Sequence, residues 1–65
     1  MTRTFRLAKM LSEQEQGKVR RLVASYGPNY GIRLPAPNIM IVELPEGGDS
    51  IAFMISNELR QNGYL

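Results

Sequence analysis

The chain has 65 residues, enough for one small domain spanning 1–65 and no more. It has no cysteine and no histidine, which excludes disulfides, thiolate metal sites, thiol nucleophiles and the commonest general base. Eight Lys+Arg against six Asp+Glu leave a formal charge of +2, and a hydrophobic content of 43% suits a folded chain.

A fold this small buries only about 60% of the surface its unfolded chain exposes, so its stability is expected to be marginal. The longest apolar run, Ile51 to Ile55, is far below the roughly 18 residues of a membrane span. Arg3, Arg6 and Lys9 open the chain without an acid among them, but the apolar stretch of a secretory signal is missing. These residues therefore read as the first element of the fold. A cytoplasmic protein with no membrane contact is expected.

Taken in order, residues 3–9 alternate, with Arg3, Phe5, Leu7 and Lys9 on one face, and predict a half-buried strand. Ser12-Glu13-Gln14-Glu15 is a capping box that opens a helix near 13–26. Val19, Leu22, Val23 and Tyr26 form its apolar stripe, Gly27 suits the left-handed position after it, and Pro28 stops it. Gly17 inside the helix suggests a close approach to the sheet or to a partner. Residues 28–38 hold three prolines and read as a long loop, with Ile32-Arg33-Leu34 as a short extended edge segment. Ile39 to Leu44 is the strongest strand in the chain. After Pro45-Glu46-Gly47-Gly48, Asp49 caps a second helix near 50–62, with Ile51, Ala52, Ile55 and Leu59 on its stripe, Phe53 off it, and Gly63 at its end.

These elements predict an α/β chain, a small two-layer α+β domain in βαβα order, with a short sheet packed on two helices. The strands near 3–9 and 39–44, joined through a helix, are expected to pair in parallel. The alternative is βαββα, in which 51–55 returns as a strand against 39–44. A two-stranded sheet with open edges is barely stable alone, so a homodimer is expected.

Nothing in the sequence supports catalysis. The serines have no histidine to activate them, and no metal or cofactor site is expected. Glu43, Glu46 and Asp49 surround one loop in a spacing that matches no calcium site, and they read as a solvated turn. The charged helix face reads first as solvated, with Glu15 and Lys18 paired across one turn. The loop residues suggest more. Tyr and Arg are enriched at protein interfaces, and Lys18, Arg21, Tyr30 and Arg33 are the candidate partner-binding residues. The leading expectation is a non-catalytic interaction module, regulatory or inhibitory, that occupies a larger protein. The alternative is a small nucleic-acid binder using Arg6, Lys18, Arg20, Arg21 and Arg33.

Overall fold

The computed structural model describes every residue except Pro28, so the stop expected of that proline lies outside the described residues. Strand β1 (Thr2–Arg6) leads to helix α1 (Glu13–Ala24), then β2 (Gly31–Ala36), β3 (Ile39–Glu43) and helix α2 (Asp49–Gln61). The sheet has three strands in the order β1-β3-β2, with both pairings antiparallel. The fold is a small α+β one, two helices on an antiparallel sheet.

Two expectations are corrected. The strands near 3–9 and 39–44 pair antiparallel rather than parallel, with Thr2 opposite Glu43 and Arg6 opposite Ile39. The order is βαββα rather than βαβα, and the added strand is 31–36, not 51–55, which is helical. Both corrections have one cause. The β2–β3 hairpin forces β3 to run against β2, and β3 then lies between β2 and β1. Helix α1 does connect two parallel strands, but they are β1 and β2, which do not touch. This is a split βαβ arrangement.

Pro35 and Pro37, which read as part of a loop, are accommodated by the hairpin itself. Pro37 and Asn38 form a two-residue connection, and no non-glycine among the described residues has positive φ. A turn of that kind does not match the twist of paired strands. The register shifts between Arg33 and Ala36, so that Leu34 and Pro35 together oppose Met40. A bulge on an edge strand tolerates the missing proline N–H. The two turn carbonyls are used as well: Asn38 accepts from the Leu7 N–H at 2.8 Å and Pro37 from the Leu11 N–H at 2.9 Å. The β1–α1 connection thereby holds the hairpin tip.

Helix α1 begins at the capping box. Ser12 Oγ accepts from the Glu15 N–H at 3.2 Å, and Glu15 Oε1 accepts from the Ser12 N–H at 3.1 Å. Val19 and Val23 of α1, Met40 and Val42 of β3, and Ile55 and Leu59 of α2 are the fully buried centre of the core. Gly63 ends α2 with φ +81°, as its position predicts. Other caps differ from expectation. Helix α2 starts at Asp49 with Gly48, which has no side chain to bond, as its cap, and Asp49 pairs with Arg3 at 2.7 Å. Gly27 does not have positive φ. Its missing side chain instead makes room for Tyr30, whose Cζ lies 2.4 Å from where a Cβ would stand. Gly17 approaches nothing closely; an added Cβ would meet only Arg21 Nη2, at 3.9 Å.

Candidate interaction surface

The register assigns each strand residue to a face, because directly opposed residues in an antiparallel pair share one. Phe5, Met40, Val42 and Ile32 point to the helices and the core. Thr2, Thr4, Arg6, Ile39, Ile41, Glu43 and Arg33 point the other way. Ile39 and Ile41 are half-buried but belong to neither the core cluster nor the side chains packed on it. This face is apolar at its centre and charged at its margins. Arg6 borders it on one edge strand and Arg33 on the other, with Glu43 at one end of the central strand.

Near the β2 edge the face continues into a depression of about 260 Å³ lined by Arg20, Ile32, Arg33, Leu34, Pro35 and Ile41. Arg20 reaches from α1 and donates from Nη1 to the Ile32 carbonyl at 3.2 Å. Arg33 and Arg20 thus meet around one apolar hollow. The other candidate residues are placed differently. Lys18 and Arg21 are exposed on α1, where Arg21 projects roughly opposite Val19 and Val23. Tyr30 is half-buried against the core rather than free in the loop, and it lines a second depression with Glu43, Leu44 and Pro45. Arg33 therefore gathers with Arg20, while Lys18, Arg21 and Tyr30 flank that centre without joining it.

Charges elsewhere are largely committed to the fold. Glu15 does not pair with Lys18; it accepts from Lys9 Nζ at 2.6 Å. The hydrogen bond from Lys9, reinforced by the Ser12 N–H, holds the Glu15 carboxyl below its usual range. The same contact raises the Lys9 ammonium above its usual value. That ammonium also stands 5.5 Å from the centroid of the Tyr64 ring. Tyr26 donates its phenol proton to Glu58, and this bond pushes the Tyr26 pKa up. By contrast, among the described residues Arg6, Lys18, Arg20, Arg21 and Arg33 have no carboxylate partner. The loop acids do not gather: no group of three or more side chains suited to a metal forms among the described residues.

Sequence reasoning left the exposed apolar residues of α2 without a role. Phe53 is 67% exposed and Met54 is 49% exposed, both on the outer side of α2. The position of Phe53 off the apolar stripe was the signal available for it. No helix among the described residues is long and apolar enough to cross a membrane. Compared with known proteins, the chain matches no family model, no curated protein and no solved structure.

Proposed function

We propose that the protein is a non-catalytic interaction module of the cytoplasm, regulatory or inhibitory, that binds a larger protein. The observation that carries this reading is the sheet face turned away from the helices. Ile39 and Ile41 form its apolar centre, and Arg6, Arg33 and Glu43 its charged margin. An apolar centre inside a polar rim is the anatomy of a protein interface. Contact centres on Ile41 and Arg33 and continues around the β2 edge past Arg20. Arg21 and Lys18 serve as an outer rim on α1, and Tyr30 borders the site beside Glu43.

A nucleic-acid reading draws on the cations without carboxylate partners: Arg6, Lys18, Arg20, Arg21 and Arg33. It is the weaker one, because single-stranded bases are held by stacking on aromatic rings. The open face has none among its strand residues. The test is a pull-down with the tagged full chain, with and without nuclease, beside Arg33→Glu and Ile41→Thr variants. A nuclease-resistant protein retained by the wild type and lost by both variants is the expected result. Recovery of nucleic acid alone, with a steep salt dependence, reverses the ranking.

A further inference from the structure

The two edges of the sheet are not alike. On β2 the register shifts next to Pro35, and Arg20 occupies the Ile32 carbonyl. Such features block an edge from pairing further. On β1 the register runs without interruption from Thr2 to Arg6, with no proline and no bulge.

The hydrogen-bond parity of β1 shows which groups are free. Met1 and Leu44 exchange both bonds, at 2.9 and 2.7 Å. Bonded and non-bonded pairs alternate along an antiparallel ladder, so Arg3 and Phe5 bond β3 and Thr2, Thr4 and Arg6 do not. Leu7, which donates to Asn38, continues the same alternation. Thr2, Thr4 and Arg6 therefore direct their backbone N–H and C=O groups away from the sheet. No other group among the described residues bonds to them. Ala8, the next residue of this outward set, donates to the Tyr64 carbonyl at 2.8 Å, which bounds the free stretch on that side.

We propose that this edge takes β1 of a second copy of the chain, antiparallel across a two-fold axis at Thr4. All three outward residues are then matched: Thr2 opposite Arg6 of the second copy, Thr4 opposite Thr4, and Arg6 opposite Thr2. Each of these pairs exchanges two backbone hydrogen bonds. Charge is accommodated too. Arg3 falls opposite Phe5 and Arg6 opposite Thr2, so no arginine faces another, and a central Thr–Thr pair is a favourable one.

The helix layer fits the same axis. Helix α2 lies along β1, where Phe53 borders a depression of about 280 Å³ with Arg3, Phe5, Asp49, Ala52 and Ser56. Pairing the β1 edges brings two α2 helices side by side and covers the exposed ring. The product is one sheet in the order β2-β3-β1-β1-β3-β2, with the Arg20–Arg33 surface at both outer ends. An isologous contact of this kind closes on itself and leaves no further edge of the β1 type.

Sedimentation velocity of the full chain across a wide concentration range tests the proposal. The wild type is expected to sediment at twice the protomer mass. Thr4→Pro deletes an N–H that bonds nothing within one copy, and it should give a folded monomer, with the fold checked by circular dichroism. Phe53→Glu, at a position exposed in one copy, should weaken association at least 10-fold while keeping the native circular dichroism spectrum. The Thr4 amide should also exchange more slowly as wild-type concentration rises. A wild type that remains monomeric throughout overturns the proposal. So does a dimer that persists in Phe53→Glu with no concentration-dependent protection at Thr4. Arg33→Glu should leave the mass unchanged, which separates this contact from the partner surface.

Discussion

Tyr26, in the turn that follows α1, donates its phenol proton to Glu58 on α2 at 2.6 Å, a bond between residues 32 positions apart. It ties the chain just beyond α1 to α2, beside the core residues Val23, Ile55 and Leu59. The bond favours the protonated phenol, so its contribution is complete below the ordinary tyrosine pKa and fades as pH rises through the raised one. Tyr26→Phe should lower the melting temperature at pH 7. The difference between wild type and variant should narrow above pH 10, measured by thermal denaturation across an alkaline series.

The Lys9–Glu15 pair gives an acid limb of opposite sign. Glu15 titrates below its usual range because Lys9 and the Ser12 N–H stabilise its charged form. Its contribution is therefore present above the ordinary glutamate pKa and is lost as pH falls through the lowered one. Glu15→Gln should flatten the fall in stability on acidification, and Lys9→Met should flatten it in the same direction. Denaturant melts between pH 6 and pH 2 read this directly.

Two glycines should respond oppositely to alanine. At Gly17 the helix has room for a Cβ, with Arg21 Nη2 at an ordinary 3.9 Å, so Gly17→Ala should stabilise by about 0.5–1 kcal/mol. In a domain of this size that is a rise of roughly 4–8 °C per kcal/mol. Gly27→Ala should destabilise, because a Cβ there stands 2.4 Å from Tyr30 Cζ and displaces the ring. Tyrosine fluorescence should report greater solvent access in the second variant and none in the first.

Core and surface separate cleanly. Ile55 is fully buried between α1, α2 and the sheet, and Ile55→Ala should cost about 2–5 kcal/mol. For so small a domain that is enough to abolish a cooperative melt. Lys18→Ala and Arg21→Ala, both at exposed positions, should stay within about 0.5 kcal/mol of the wild type. A large loss from Arg21→Ala would show that this side chain serves the fold rather than a partner.

What the sequence determined by itself was local. The Ser12–Glu15 capping box, the Val19–Val23 and Ile55–Leu59 stripes and the left-handed Gly63 depend on neighbours within a turn of helix, so they are legible as spacing. Ile39–Glu43 was legible from its uninterrupted apolar run of strand formers, although only Met40 and Val42 of it face the core. The tertiary structure alone decided the rest. Of β2 only Ile32-Arg33-Leu34 was legible, as a short extended edge segment; its full length and its pairing with β3 were not, because the edge bulge at Leu34-Pro35 absorbs what the sequence pattern forbids. Its insertion beside β3 reversed the expected direction of β1 and set the order of the sheet. Glu15 and Tyr30 found their partners close by in the chain, in Lys9 and Gly27. The partner of Asp49 was decided across the fold: Arg3, 46 positions away, reaches it only after distant segments pack together, and no local periodicity encodes that meeting.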